Sequence, residues 1–260
     1  MRHDSWNLTG DKQATTDAAV HRKALAAEFD AWADAGRGES MERGHLPTAG
    51  QALDRIPFAR TKVFLDLGTG NGFAVRRAAT SMPPDGVAVG LDVSPRMLAV
   101  ARRTTAAWRA AREAEVGPVA SCDFVEAPFD EIPLPRGSVD VCFSNEALYY
   151  APDVDAALKA IHDVLGAEGS FYCSLDYYAE NRYSHDWPQK VGVPMTMDSA
   201  RGWMQRFARA GFERVETERL LDPGPLPELV ADADDDARAT HEALRAWKKE
   251  VGTLLVAGHK

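Results

Sequence analysis

The stretch from Val63 to Phe73 constrains the fold most, because three glycines at alternate positions follow a short apolar run. Residues 63–67, Val-Phe-Leu-Asp-Leu, are typical of a strand that is buried on both faces of a parallel sheet. Gly68, Gly70 and Gly72 lack Cβ, so the backbone there can turn tightly and lie against a ligand. The following residues predict a helix. A strand, a glycine turn and a helix N-terminus in succession predict a nucleotide-binding site.

The spacing of the glycines and one carboxylate discriminate between nucleotide ligands. The dinucleotide fingerprint is G-x-G-x-x-G, and its third glycine would fall where this chain has Phe73. Asp66 lies two residues before the first glycine, where a carboxylate would repel a pyrophosphate and attract a cationic ligand. S-adenosylmethionine carries an ammonium and a sulfonium group and has no phosphate. These features favour S-adenosylmethionine over a nicotinamide dinucleotide.

Two segments carry a family resemblance. Residues 65–72 closely resemble the first motif of class I S-adenosylmethionine-dependent methyltransferases, and residues 92–97, Asp-Val-Ser-Pro-Arg-Met, are similar to the second. The resemblance is to the small-molecule type found in ubiquinone and menaquinone biosynthesis. It implies an α/β, Rossmann-like, doubly wound sheet of seven strands with the last strand antiparallel. It also implies an N-terminal helical lid at 1–60 and a methyltransferase domain at 61–260, with cap insertions at 176–196 and 222–249.

The same resemblance assigns the donor site. Asp92 closes the second predicted strand 24 positions after Gly68, near the roughly 20 expected for a carboxylate that binds both ribose hydroxyls. A helix-capping carboxylate is the alternative interpretation of Asp92. Asn145, at the end of the fourth predicted strand, is expected to contact the donor's amino group through its backbone carbonyl. The residues expected to bind the donor are Asp66, Gly68, Thr69, Gly70, Asn71, Gly72, Asp92, Val93, Met97, Ala127, Pro128, Phe129 and Asn145.

The adenine segment departs from the family pattern. Relatives commonly carry an aspartate where this chain has Pro128. The adenine amine would then need another acceptor, such as Glu126, Asp130 or a backbone carbonyl.

Aromatic residues mark the expected acceptor side. Tyr149 and Tyr150 follow the fourth strand, where an electron-rich ring attracts a sulfonium by about 2 kcal/mol when desolvated. His185 is the general-base candidate by chemistry, since imidazole titrates near neutrality. Alternatively, the 176–196 segment is a purely structural flap, and one of Tyr149 and Tyr150 is a core residue. Tyr149 and His185 are the predicted catalytic residues, and those predicted to contact the acceptor or close the site are Trp32, Met41, His45, Glu146, Tyr150, Tyr177 and Tyr183. Alternatively, Trp32 is a packing residue and His45 is a solvated loop residue.

The helical and strand boundaries follow from periodicity and turn residues. We expect helices at 18–33 and 47–56, with a loop at 39–45 between them. Gly166 and Gly169 predict a turn before a fifth strand at 170–175. A helix is expected at 232–249, followed by a last apolar strand at 251–257.

Composition narrows the class of protein. A formal charge of −9 and a pI near 5.3 argue against a nucleic-acid surface. The Asn/Asp-Pro-Pro-aromatic motif of base-methylating enzymes is replaced here by Asn-Glu-Ala-Leu at 145–148. No apolar run approaches a membrane span, and three widely spaced cysteines favour reduced thiols in the cytoplasm. We find no spacing typical of a metal site or of a Ser/His/Asp triad.

The leading hypothesis is therefore a cytoplasmic methyltransferase that uses S-adenosylmethionine and methylates a small molecule by in-line displacement. The alternatives are a donor-binding protein without transfer activity, a protein methyltransferase and an NAD-dependent oxidoreductase. The sequence leaves the acceptor atom, the use of a general base and the oligomeric state open.

Overall fold

The computed structural model describes residues 9–229 and 234–260, with side chains of the first helix described from residue 17. The predicted lid also includes residues 1–8, which lie outside the described residues. The strands are β1 (Val63–Leu67), β2 (Val87–Asp92), β3 (Ser121–Glu126), β4 (Val139–Asn145), β5 (Leu165–Leu175), β6 (Glu213–Leu220) and β7 (Thr253–His259). The α-helices of the described part are α1 (Thr9–Asp34), α2 (Gly38–Leu53), α3 (Phe73–Ser81), α4 (Pro95–Val116), α5 (Val154–Val164), α6 (Trp187–Val191), α7 (Ala200–Ala210) and α8 (Asp235–Ala246).

The strands form one seven-stranded sheet in the order β3-β2-β1-β4-β5-β7-β6. β1 to β5 pair in parallel, and β7 is antiparallel to both β5 and β6. The predicted fold is therefore confirmed. The strand order reverses between β1 and β4, and ligands of such sheets bind at the carboxyl ends of the strands beside this reversal.

The sheet is buried on both faces because successive strand residues point to opposite sides. Phe64 packs in one buried cluster with α2 and α3, whereas its neighbour Leu65 packs in a second cluster with α5 and α7. Trp203 and Phe207, both on α7, are fully buried in the second cluster. Two apolar layers thus fix the strand ends that carry the functional residues.

The predicted loop at 39–45 was wrong, because α2 begins at Gly38 and continues through Pro47 to Leu53. Contacts from the glycine loop hold its first turns: Asn71 donates from Nδ2 to the Gly38 carbonyl (3.2 Å) and to Glu42 Oε2 (2.6 Å). The Arg76 guanidinium forms an ion pair with Glu42 at 3.0 Å. These tertiary contacts override the local helix-breaking signals of glycine and proline.

The predicted turn at 166–169 was also wrong, because β5 begins at Leu165. Leu165 pairs with Val139, and the register shifts between Val139 and Val141. Gly169 is required by close packing, since a Cβ there would lie 2.9 Å from the Leu165 side chain. The glycines therefore accommodate an irregular strand.

The last helix is shorter than predicted. α8 begins at Asp235 after the Asp234 carboxylate accepts a hydrogen bond from the Ala237 amide, and a π-helical turn, Trp247–Val251, leads into β7. The predicted start at residue 232 lies outside the described residues.

No helix in the described ranges is long and apolar enough to cross a bilayer.

Candidate active site

The glycine loop between β1 and α3 is built as the sequence predicts. Gly68 and Gly70 have φ values of +75° and +52°, which L side chains rarely adopt. A Cβ at Gly68 would lie 2.3 Å from the Ala147 Cβ, so the loop packs directly against the segment that follows β4. A Cβ at Gly70 would meet no protein atom within 4 Å, because Gly70 borders a cavity.

Asp66 lies behind this loop and does not line the cavity, and its direct contact with the donor stays a prediction. Its side chain is buried, and its Oδ2 accepts a hydrogen bond from the Thr69 hydroxyl at 2.6 Å. Burial, with a smaller contribution from the nearby Asp92 carboxylate, raises the pKa of the Asp66 carboxyl to about 7, although the hydrogen bond from Thr69 acts in the opposite direction. Asp66 therefore acts on the shape of the loop.

Asp66→Asn should remove a pH dependence of stability. Because the folded pKa of about 7 exceeds the ordinary 3.8, the folded state binds more protons in this window. The free energy of unfolding should therefore fall as pH rises from 3.8 to 7, by on the order of 4 kcal/mol. Asparagine keeps an acceptor for Thr69 and carries no charge. Denaturant unfolding at pH 5 and pH 8 measures this effect. The free energy of unfolding should fall between these pH values in the wild type and fall less in the variant. An equal change in both proteins would show that Asp66 does not have this raised pKa.

Asp92 is placed to order the loop from the end of β2. Its Oδ2 accepts a hydrogen bond from the Gly70 amide and its Oδ1 accepts one from the Ser94 amide, both at 2.9 Å. The helix cap itself is Ser94, whose hydroxyl accepts a hydrogen bond from the Met97 amide. Burial raises the pKa of the Asp92 carboxyl. Asp92 lines the cavity and keeps free lone pairs for a ligand.

One cavity of about 410 Å³ joins the glycine loop to the aromatic residues after β4, within the volume range of small-molecule sites. It brings together most of the predicted residues. Those that line it are Trp32, Met41, His45, Gly68, Thr69, Gly70, Asn71, Asp92, Val93, Met97, Asn145, Glu146, Tyr149 and Tyr150.

The first two helices form one wall of this cavity. α1 is tied to α4 because Asp30 accepts hydrogen bonds from the Ser94 hydroxyl (2.6 Å) and the Arg96 amide (3.2 Å). On α2, His45 Nδ1 lies 3.4 Å from Asn145 Nδ2, and burial lowers the pKa of His45 to about 4. His45 is thus neutral at pH 7 and lies beside the donor-side strand end.

The segment after β3, with Ala127, Pro128 and Phe129, does not line the cavity, and its contact with the donor stays a prediction. α1 covers it: Leu25 packs in the same buried cluster as Ala127 and Phe129. Arg22 of α1 also forms an ion pair with Asp130, one of the acceptors considered for the adenine amine. The cavity wall in this region is formed instead by Leu25, Val93 and Met97.

The acceptor side is an aromatic cluster. The ring of Phe29 contacts those of Trp32 and Tyr150, with centroids 5.2 and 5.3 Å apart, and Tyr150 contacts Tyr149 at 4.8 Å. Trp187, on α6, lines the opposite part of the cavity. The wall is therefore mostly apolar and suits a flat or apolar acceptor.

Several predicted residues lie away from the cavity. His185 is exposed, and its Nε2 lies 3.0 Å from the Ala179 carbonyl, so it cannot act as the base in this arrangement. Tyr177 supports Tyr149 from behind with ring centroids 5.7 Å apart, and Tyr183 stacks on Trp247 at 6.0 Å. Gly72 serves as the cap of α3. The 176–196 segment thus contributes through α6 and not through these side chains.

The sequence reasoning missed other lining residues. Leu25 and Phe29 carry a detectable signal, because they share a helical face with Trp32. Gly38 and Glu42 carry no local signal, and the helix that places them at the cavity was not predicted there. The remaining missed residues are Arg37, Phe73, Ala147, Lys190 and Val191.

The comparisons with known proteins agree with this architecture. Residues 65–173 match the family model described as a methyltransferase domain. The chain is 31% identical over 182 residues to arsenite methyltransferase of Halobacterium salinarum, covering 66% of this chain and 42% of that protein. It is 29% identical over 163 residues to malonyl-[acyl-carrier protein] O-methyltransferase of Halorhodospira halophila, covering 62% and 49%. The chain thus spans roughly a third to a half of the length of the curated relatives it matches.

Solved structures give a fuller match. A chain from a complex between the Haloferax volcanii Trm112 methyltransferase activator and a candidate methyltransferase is 35% identical, with a TM-score of 0.78. The match covers 89% of this chain and 96% of that one. An S-adenosylmethionine-dependent methyltransferase of Mesorhizobium loti has the same fold at 22% identity, with a TM-score of 0.59 and coverage of 82% and 98%. The chain belongs to the class I S-adenosylmethionine-dependent methyltransferases.

Proposed function

We propose that this protein methylates a small molecule with S-adenosylmethionine as the donor. The observation that carries the proposal is the single cavity that joins the glycine loop and Asp92 to an aromatic wall. Donor and acceptor would thus share one cavity, and in-line displacement requires them to lie side by side.

The residues around the loop fit the donor. The bare Gly70 leaves room for a ligand against the backbone, and the Asp92 carboxylate can accept hydrogen bonds from vicinal hydroxyls. Val93 and Met97 offer apolar surface for the adenine. Asn145 lies at the end of β4, where its side chain is beside His45, and its backbone carbonyl would accept from the amino group. When bound, the donor supplies an electrophilic methyl group on a sulfonium.

The remaining cavity residues would align the acceptor and exclude water. Tyr149 and Tyr150 are nearly fully buried and present rings at the end of β4, where a sulfonium gains cation–π attraction. α1 and α2 would act as the lid, since Trp32, Met41 and His45 close the cavity from one side. A dry and ordered site raises the rate mainly through alignment and solvent exclusion.

The test is a calorimetric titration with S-adenosylmethionine, with NADH run alongside, followed by methyl-labelled donor and an acceptor panel. We expect micromolar binding of S-adenosylmethionine, no response to NADH and transfer of label to a small molecule. Transfer should be measured with and without the Trm112 activator, because the Haloferax relative is held in a complex with it. Absence of donor binding would overturn the proposal. Binding without transfer under every condition would favour a donor-binding protein without transfer activity.

A further inference from the structure

Glu146 occupies an unusual backbone position at the end of β4. Its φ is +53°, in the left-handed region that residues other than glycine seldom adopt. Such strain costs on the order of 1–3 kcal/mol and persists where the surrounding structure imposes it. Glu146 lines the cavity between the donor-side Asn145 and the aromatic wall. The surrounding structure therefore holds Glu146 in this strained position, at the junction of the two halves of the site.

Only one oxygen of this carboxyl group has its hydrogen bonds. Oε2 accepts from the Tyr149 hydroxyl at 2.8 Å and from the Asp176 amide at 3.0 Å. Oε1 is buried and, among the described residues, has no hydrogen-bond partner. A buried acceptor without a partner costs about 1–3 kcal/mol, so a ligand that donates to Oε1 would recover this energy.

Four other ionisable groups that line the cavity have protein neighbours of their own. Glu42 is paired with Arg76, and Asp92 accepts from two backbone amides. The Lys190 ammonium pairs with Asp186, outside the cavity lining, at 2.7 Å. His45 carries a low pKa and lies beside Asn145. Within the described part of the chain, Glu146 thus places a buried carboxyl oxygen without a hydrogen-bond partner in the wall of the cavity.

We propose that Glu146 Oε1 binds an O–H or N–H group of the acceptor and takes its proton during methyl transfer. The inference rests on the proposed function and narrows its substrate class to hydroxyl or amine compounds that carry a ring and no negative charge. The acceptor oxygen or nitrogen bonds to the methyl carbon, and the sulfur–methyl bond breaks with its electron pair left on sulfur. The proton of the acceptor passes to Oε1, which releases it to water after the product leaves.

Neighbouring groups adjust the proton affinity of Glu146. It faces Tyr149 and Tyr150 after β4, Cys173 on β5 and Asp176 after β5. Burial and the Asp176 carboxylate raise the pKa of Glu146 well above its ordinary value. The carboxylate is the active form, so kcat should fall as pH is lowered through this raised pKa. A raised pKa also makes the carboxylate a stronger base near neutral pH.

The test compares the wild type with Glu146→Gln, and with Glu168→Gln as a matched control on the exposed start of β5. The probes are phenol, benzylamine and benzoate, titrated into protein that is saturated with S-adenosylhomocysteine and then assayed with methyl-labelled donor. We expect phenol and benzylamine to bind and accept label, and benzoate to be excluded by the carboxylate. Glu146→Gln should lower kcat by about 10²- to 10⁴-fold, remove the acidic limb of the pH profile and admit benzoate. Glu168→Gln should behave as the wild type.

The outcomes separate this inference from the proposed function. Donor affinity and melting temperature must be retained in Glu146→Gln, which shows that the variant is folded. If donor binding is absent in the wild type, the proposed function itself fails. If the donor binds but benzoate is methylated, or neither phenol nor benzylamine binds, the role of Glu146 is overturned while the function stands. An unchanged kcat and pH profile in Glu146→Gln would overturn it equally.

Discussion

Asp92→Asn should weaken S-adenosylmethionine binding by about 2–4 kcal/mol, because hydrogen bonds to a charged acceptor contribute about 1.5–3 kcal/mol each. This corresponds to roughly a 30- to 700-fold rise in Kd. Asparagine provides one oxygen where the carboxylate provides two, so either the Gly70 or the Ser94 amide also loses its acceptor. The ribose hydroxyls and the loop would then compete for one oxygen. Calorimetric titration of the purified variant measures the effect.

Loss of stability alone must be separated from loss of the donor contact. Asp153→Asn is the control, because Asp153 caps α5 by accepting from the Ala156 amide and does not line the cavity. Loss of a cap costs about 0.5–2 kcal/mol of stability. The control should keep the wild-type Kd even if its melting temperature falls. Equal donor affinity in Asp92→Asn and the wild type would remove Asp92 from the donor site.

Gly68→Ala should destabilise the fold by about 2–5 kcal/mol. A left-handed backbone costs an alanine about 1–2 kcal/mol, and overpacking adds about 1–3 kcal/mol. The overpacking is specific, since the new Cβ would lie 2.3 Å from the Ala147 Cβ and 3.4 Å from the Phe129 ring. This is a large share of the 5–15 kcal/mol that stabilises a typical domain. Denaturant unfolding gives the free energy directly.

Two further variants divide this effect into its parts. Gly137 has a φ of +72° and no atom within 4 Å of a built Cβ, so Gly137→Ala should show the backbone cost alone. The double variant Gly68→Ala/Ala147→Gly removes the clashing methyl group and should recover most of the overpacking term. Equal losses in Gly68→Ala and Gly137→Ala would show that the loop moves away from Ala147 at little cost.

The sequence predicts the sheet well because the signals for it are local. Val63 to Leu67, the glycines after them and Asp92 appear as contiguous patterns, and each is found where expected. The start of α4 is also local, because Ser94 and Pro95 are a cap and a first-turn residue.

The rest of the site depends on contacts between distant residues. The first turns of α2 are held by Asn71 and Arg76 from the loop, which no pattern at 38–45 reveals. The segment after β3 does not line the cavity because Leu25 and Arg22, a hundred or so residues earlier, cover it, and its contact with adenine stays a prediction. The chemistry of His185 suggested a base, but its exposed position beside Ala179 is set by the fold of the segment. Whether each of these residues lines the cavity depends on which other elements cover it, and this is set by the whole structure.

The position of β7 between β5 and β6 has a consequence for synthesis on the ribosome. β6 has no strand partner other than β7 in the described sheet, and residues 253–259 are made after every other strand. While the chain is growing, each of β2 to β5 can pair with a strand that has already been made, whereas β6 stays unpaired until β7 is available. Unpaired edges can pair with other chains. Both β5 and β6 therefore lack the strand partner that β7 provides until β7 emerges, and this interval is when a chaperone would be most useful.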